Sequence, residues 1–519
     1  MTDRVRRQVE TWLLEHSEPV RPAELLCDEH DERAVALTVA DADLVSTSYR
    51  FGELRERSER FAALLAGLGV ERGDRVAVLL PKRVEHAVAL LAALRLGAVH
   101  VPLFTAFAAP TIAHRLADCG AKVVVTDAAN RDKVEWEGPV VSVDEQPGPE
   151  GGGVAPAVYA PDDPLILLYT SGTTGYPAGV EVPARALAAF RAFLRFGLDL
   201  QPDDVYWNAA DPGWAYGLYY GLVAPLHAGR PILWVDAPFS ADLAWHVLER
   251  FGVTNLAAAP TVYRAMRGAS GSPRRGLRVA SSAGEPINPE VVEWSREAFG
   301  TPVHDQYGQT ELGMVICNHQ DPQLAGELRP GTMGIPMPGF SAAVLDPDED
   351  EEAEAGVTGR LVIDVPGSPL FWFQGYFRQP ERSAARFLAD GRYYLTGDAA
   401  GRDERGTFTF CGRADDVILT AGYRIGPFEV ENALCEHESV LEAAVVGKPD
   451  ELRGEAIHAY VVLRAGWEPS DELATRLQDT VRNRLARHAY PREVHFLDAL
   501  SKTPSGKVQR YLLRTGDAS

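Results

Sequence analysis

Four short stretches of this chain carry side chains suited to handling phosphate. Residues 169–179 read YTSGTTGYPAG, so an apolar strand feeds directly into Thr170, Ser171, Gly172, Thr173, Thr174 and Gly175. Hydroxyls and glycine-exposed backbone N–H groups at that density form an anion-binding surface, and with no Gly-Lys-Ser/Thr following it is not a Walker loop. Thr310 stands beside Glu311. A hydroxyl next to a carboxylate can hold a hydrated Mg2+ that bridges phosphate oxygens, because Mg2+ takes one or two protein carboxylates and completes its shell with water and substrate. Asp398 follows the glycine of LTGD, where a carboxylate can accept two hydrogen bonds from ribose hydroxyls. Lys507 ends the turn Thr503-Pro504-Ser505-Gly506-Lys507.

These groups need a scaffold that brings distant residues together. Between 74 and 300, short β-rich runs (75–80, 122–127, 164–170, 230–235, 277–284) alternate with helical patterns (84–96, 184–196, 240–252, 289–299). That alternation predicts an α/β body of parallel sheets covered by helices. Ligands in such sheets sit beyond the carboxyl ends of the strands, where Gly284-Glu285-Pro286 follows the run 277–283. After 412 the composition resets: β-like runs at 441–447 and 457–465 and an amphipathic helix from about 470 to 488 predict a small α+β domain. The Pro/Gly stretch 147–156 and the acidic run 346–355 read as solvated loops or links.

With 519 residues, 46% hydrophobic and 24% charged, the chain has material for at least two domains and a sizeable core. Its net charge of -22 repels phosphate backbones and anionic lipid, which argues against nucleic-acid and membrane-surface partners. The five cysteines (27, 119, 317, 411 and 435) are far apart, odd in number and in no CxxC spacing. They read as packed thiols, against both a disulfide framework and a zinc site. The charged N-terminus has no apolar h-region, and no apolar run reaches about 18 residues, so a soluble cytoplasmic protein is expected.

Taken in order, YTSGTTGYPAG, DQYGQTE (305–311), LTGD (395–398), GRADDVILTAGYRIGPFEVE (412–431) and the Lys507 turn resemble the adenylate-forming superfamily, which includes acyl-CoA and aryl-CoA synthetases. The closest motifs are those of acetyl- and medium-chain acyl-CoA synthetases. The resemblance implies a large N-terminal domain (1–413) of parallel helix-covered sheets with a β-barrel-like subdomain. A small mobile C-terminal domain (414–519) would pivot at Asp415. It implies ATP, Mg2+ and coenzyme A as cofactors, with the 170–175 loop on the β- and γ-phosphates. Gly284, Glu285, Pro286, Tyr307 and Gln309 would lie around the nucleotide, with Tyr307 stacked on adenine. Thr310 would touch the α-phosphate, Glu311 would hold the magnesium ion, and Asp398 with Arg413 would bind ribose. Lys507 would be the adenylation lysine and Arg424 would reach phosphate. One departure stands out: the pattern ends Pro-Lys-Gly, and this chain has Pro177-Ala178-Gly179. Either phosphate affinity is weaker or another base substitutes, with Arg413 and Arg424 at hand.

By the same resemblance Trp214, Ala215 and Tyr216 wall the acyl pocket. Acetate-specific relatives carry tryptophan where this chain has Gly308, and losing an indole implies an acid larger than acetate: medium-chain, branched or aromatic. Gly422 and Tyr423 match the pantetheine tunnel, and Arg482 falls where an arginine meets the CoA nucleotide. The expected enzyme is an ATP-dependent acid–CoA ligase, monomeric or homodimeric, with a small-molecule carboxylic acid as substrate. The alternatives are transfer to a carrier protein in trans or to an amine, and activation of nitrite for diazotisation.

Overall fold

A computed structural model describes residues 2–145, 153–170, 177–269, 276–414, 416–420, 423–450, 453–485, 489–502 and 508–515. Two mixed sheets build the large N-terminal part. The first runs Val140–Ser142, Ala121–Thr126, Arg75–Leu79, Val99–Pro102, Pro164–Tyr169, Gly179–Pro183, parallel throughout except for its last pair. Val123, Val124 and Val125 are all fully buried. A strand covered on both faces has no reason to alternate apolar with polar residues, which is why these runs read as continuous valine.

The second sheet has nine strands. Its centre, Tyr206–Asn208, Ile232–Val235, Asn255–Ala258, Val279–Ala283 and the start of Val303–Gln309, is parallel. Each end turns antiparallel, at one end through Val303–Gln309 and Gly313–Cys317. The helices fall where the periodicity puts them, at Val84–Arg95, Ala241–Phe251 and Pro289–Phe299. The helix expected over 184–196 is Ala186–Ala192 followed by one wider turn, Phe193–Gly197. The barrel-like subdomain takes the form of four antiparallel strands in the order Ala342–Leu345, Thr358–Asp364, Tyr393–Arg402, Phe408–Arg413. The acidic run is the loop between the first two of these, tied down by Arg360 on the Asp350 carboxylate (2.8 Å) and the Asp346 carbonyl (3.1 Å). Of the Pro/Gly stretch, 147–152 lies outside the described residues.

The smaller C-terminal part is a sheet of its own. Val440–Asp450 and Gly454–Leu463 pair antiparallel, and Glu493–Phe496 lies parallel to the second. Residues of one face pack with helices Pro427–Cys435 and Asp471–Arg484 around Val445, Ile457 and Val461. Those of the other pack Ala444, Val446 and Val462 with Leu500 and Leu513 of the tail. Four of the five cysteines are buried and Cys435 is half-buried, as packed thiols require. Among the described residues no helix is long and apolar enough to cross a membrane.

Candidate active site

A cleft of about 950 Å³ opens where the two parts meet. Its floor is laid by the carboxyl ends of strands, with Thr170 after Pro164–Tyr169, Gly284 after Val279–Ala283, and the end of Val303–Gln309. Its far wall includes Leu500, Lys502, Val508, Gln509 and Arg510 of the C-terminal part. Parallel neighbours point the same way, so residues 284 and 307–311 share one rim of the nine-stranded sheet, and Thr170 joins them in the cleft from the end of a strand in the six-stranded sheet.

Asp398, in the cleft, is 5% exposed. Its Oδ2 accepts from the Tyr307 hydroxyl at 2.5 Å and from Gln309 Nε2 at 2.7 Å, and its Oδ1 faces Arg413 at 3.1 Å. Burial and the adjacent Asp398 charge push the Tyr307 hydroxyl well above the ordinary tyrosine range, so it donates and does not ionise. Gln309 also donates to the Thr396 carbonyl at 2.8 Å, clamping the strand Tyr393–Arg402 onto the neighbouring sheet.

Glu311 is 7% exposed. The Tyr376 hydroxyl donates to its Oε1 at 2.7 Å, and Arg386 lies 3.8 Å from the same oxygen. A carboxylate approached on one oxygen, beside the Thr310 hydroxyl and facing the cleft, fits the donor set that Mg2+ accepts. On the floor, Asp305 is buried and accepts from the Gln306 N–H at 3.0 Å. Burial drives its carboxyl well above the usual range. Glu285 is held by Arg264 at 2.6 Å.

Gly397 has φ +74°, and a Cβ there would lie 3.2 Å from nitrogens of both Arg386 and Arg413. The left-handed backbone favours glycine there, and a Cβ would crowd the tips of both guanidinium groups. This pairing, like Tyr376, was not anticipated from sequence. Arg378, Arg382 and Arg386 recur every fourth residue ahead of LTGD, and that helical stripe was the available signal.

The phosphate-loop residues Ser171, Gly172, Thr173, Thr174 and Gly175 lie outside the described residues, as do Asp415, Gly422, Lys507 and the side chain of Arg424. Their anchors are described. Thr170 closes the hairpin base, donating its N–H to the Ala178 carbonyl at 2.9 Å. The Ala178 methyl is fully buried in the main core. The segment carrying Lys507 is clipped at both ends. Lys502 pairs with Val508 in a backbone bridge and with Glu442 through its ammonium at 2.5 Å. Gln509 N–H donates to the Ser501 carbonyl at 2.9 Å, and Arg510 grips both oxygens of the buried Glu431 at 2.8 and 2.9 Å.

Tyr307, Gly308, Gln309, Thr310, Glu311, Asp398 and Arg413 thus share one cleft with Thr170 and 284–286. Trp214, Ala215 and Tyr216 are set back from it. The Trp214 ring packs against Phe104 and Phe107, and the Tyr216 hydroxyl stands 3.4 Å behind the Gln306 amide. Gly308 departs from expectation. A Cβ there would meet the Gly313 carbonyl oxygen at 2.2 Å, at a bulge between Tyr307 and Gly308, so backbone fills the space an indole was expected to vacate. Tyr423 is half-exposed. Arg482 stacks on Tyr490 with Arg492, at 4.2 and 3.9 Å from the ring centre, and is not among the residues lining the cleft.

Comparison with known proteins gives this architecture a class. The model of the AMP-binding enzyme family matches residues 28–377, and that of the AMP-binding enzyme C-terminal domain matches 429–507. The chain belongs to this family, in its AMP-forming acyl-CoA synthetase branch, whose members work with ATP, Mg2+ and coenzyme A. It is 37% identical to an acetyl-coenzyme A synthetase of Bacillus subtilis, over 94% of this chain and 89% of that one. Among solved structures, an acyl-CoA synthetase of Brucella canis is 43% identical with a TM-score of 0.73, covering 96% of this chain and 94% of that one. ATP-bound MatB from Rhodopseudomonas palustris superposes with a TM-score of 0.85 at 29% identity, covering 96% of this chain and 99% of that one.

Proposed function

We propose that this enzyme activates a carboxylic acid larger than acetate as its acyl adenylate in the described cleft, releasing pyrophosphate, and then passes the acyl group to the thiol of coenzyme A. The observation that carries this reading is the convergence of two buried carboxylates, Asp398 and Glu311, with two guanidinium groups, Arg413 and Arg386, at one rim of strand ends.

Asp398, pre-set by Tyr307, Gln309 and Arg413, accepts the ribose hydroxyls and fixes the sugar. Tyr307 and the 284–286 turn flank the adenine, and Thr310 meets the α-phosphate. Glu311 holds the magnesium ion, which when bound draws charge off the phosphate oxygens. The transition state of adenylation spreads negative charge over phosphoryl oxygens, so positioned cations are the main catalyst available. Lys507, delivered by a segment clipped at Lys502 and Arg510, supplies one at the α-phosphate. Arg386 supplies another toward the leaving pyrophosphate, taking the place of the lysine that Ala178 replaces, with Arg424 a further candidate.

Residues 414–519 form the part that reorients about Asp415 between the two half-reactions, each of which needs different groups over the same cleft. Gly422 and Tyr423 then line the pantetheine path, and Arg482 meets the CoA nucleotide. For the acid, support comes from the layer from Trp214 through Ala215 to Tyr216 behind Gln306, and Gly308, whose space backbone fills, adds nothing to the size. The test is release of AMP and pyrophosphate across a panel of acetate, medium-chain, branched and aromatic acids, with and without CoA. Thioester formation that peaks above acetate supports the reading. A preference for acetate overturns the size assignment, and acid-dependent AMP release that CoA leaves unconverted overturns the acceptor.

A further inference from the structure

Away from the cleft, one face of the C-terminal sheet gathers three metal-ligating side chains. Strand Glu493–Phe496 lies parallel to Gly454–Leu463 in the register His458↔Glu493 and Tyr460↔His495. Side chains two apart on a strand share a face, so Glu493 and His495 stand together over their partners. His458 Nδ1 is 3.2 Å from His495 Nε2 and 3.6 Å from Glu493 Oε2, and His495 Nε2 is 3.4 Å from that same carboxylate oxygen. Three ligands placed tetrahedrally around one ion, each at its usual bond length, are separated by roughly 3.4 Å. The three atoms already stand at that spacing.

We propose that His458, Glu493 and His495 form a binding site for a divalent transition metal, of which Zn2+ is the natural occupant. Two imidazoles and one carboxylate suit borderline ions such as Zn2+ or Co2+ and do not suit Mg2+, which prefers an all-oxygen shell. The site is therefore chemically distinct from the magnesium position at Glu311. The side chains are graded in exposure, His458 at 13%, His495 at 36% and Glu493 at 61%, so an ion can enter from solvent and keep water in its fourth position. The His495 ring is fixed by stacking on Tyr460, with centroids 4.6 Å apart. No cysteine takes part, which is why the lack of a CxxC spacing gave no hint of it.

Such an ion would clip the edge strand Glu493–Phe496 to its neighbour. That strand runs directly into the residues that lead to Lys507, so the clip bears on the stability of the C-terminal sheet and leaves the adenylation groups untouched.

The test is Co2+ titration of tag-free, EDTA-treated full-length enzyme in Mg2+-containing buffer. The readouts are the visible d–d bands of tetrahedral cobalt and the bound stoichiometry by equilibrium dialysis. One equivalent with tetrahedral bands is expected for the wild type. His458→Ala or His495→Ala should weaken it at least about 100-fold, beyond what loss of an outer partner costs. Glu493→Gln, exposed and nearly isosteric, should weaken it as well and serves if a histidine variant misfolds. Zn2+ should raise the thermal midpoint of the wild type and not of the variants. Equal cobalt stoichiometry and affinity in wild type and all three variants, or no tetrahedral cobalt in the wild type, overturns the site in favour of a plain histidine–histidine hydrogen bond.

Discussion

Removing Arg386 tests the proposal that it stands in for the lysine absent at Ala178. Its side chain is 19% exposed, stands 3.8 Å from Glu311, and is held by the Thr396 carbonyl at 3.3 Å and the face of Tyr394 at 5.3 Å. Its Nε finds no partner among the described residues. A unit charge about 5 Å from a phosphate oxygen, at an effective dielectric constant of about 20, contributes ~3 kcal/mol. That corresponds to about 100-fold in rate. Arg386→Ala should therefore lower kcat/KM for ATP about 100-fold in acid-dependent pyrophosphate exchange, with the KM for the acid little changed. Arg386→Lys should recover part of the loss, because a point charge replaces the fork without its geometry. If Arg386 serves only to balance Glu311, the alanine variant will instead shift the Mg2+ requirement and leave ATP saturation alone. A fall of less than about threefold in kcat/KM for ATP refutes the assignment.

Other perturbations separate the remaining parts. Lys507→Ala should abolish adenylation while sparing thioester formation from preformed acyl adenylate, and equal loss of both steps counts against its role. Gly308→Trp should not convert the enzyme to acetate. With the Gly313 carbonyl 2.2 Å from the new Cβ, it should lower thermal stability and depress activity on all acids together, and a clean switch to acetate in a stable variant would contradict this. Ala178→Lys places an ammonium stem where a methyl is fully buried, so it should destabilise by more than ~1 kcal/mol. Tighter ATP binding without that cost would show the loop lysine to be freely restorable. His86 is fully buried, and burial lowers its imidazole to about 4. Its folded value lies below the unfolded one, so its contribution is intact above about pH 6.5 and is lost as pH falls toward 4, about 2 kcal/mol of it by pH 5. His86→Gln should flatten that part of the urea-midpoint profile, and an unchanged slope between pH 7 and 5 would rule it out.

The parallel body was legible because strands buried on both faces must read as apolar runs, and residues 122–127 do so without alternation. The site was legible wherever a motif falls at a strand end, as at 284–286 and 307–311. What stayed hidden depends on cross-chain packing. Nothing in the string around Gly308 tells whether a missing side chain leaves a hole or admits a backbone. Here the bulge at Tyr307 and Gly308 brings Gly313 into the space, and the pocket-size reading loses that ground. Arg386 was hidden because its partners lie on other elements, Glu311 in the turn after Val303–Gln309 and Gly397 on Tyr393–Arg402. The His458–Glu493–His495 group was hidden for the same reason, since only the parallel register of two distant strands makes neighbours of residues 458 and 493.

The way the two parts touch bears on how one cleft could serve two reactions. Across it, among the described residues, the Asn288 amide donates to Asn432 at 2.9 Å and the ring of Phe410 meets Phe428 edge-on at 6.5 Å. An amide pair of this kind trades readily for water and is worth about 1 kcal/mol, and a single edge-on ring pair adds about as much, so separating them costs little. The clips on the Lys507 segment are of another order: Arg510 and Glu431 form a buried two-pronged pair whose loss on one side would cost about 3 to 5 kcal/mol. Weak contacts between parts and strong ones within the smaller part mean that, in the proposed reorientation, Lys502 and Arg510 would travel with the smaller part. Holding both flanks in this way limits the conformational entropy that delivering a cation from between them would cost.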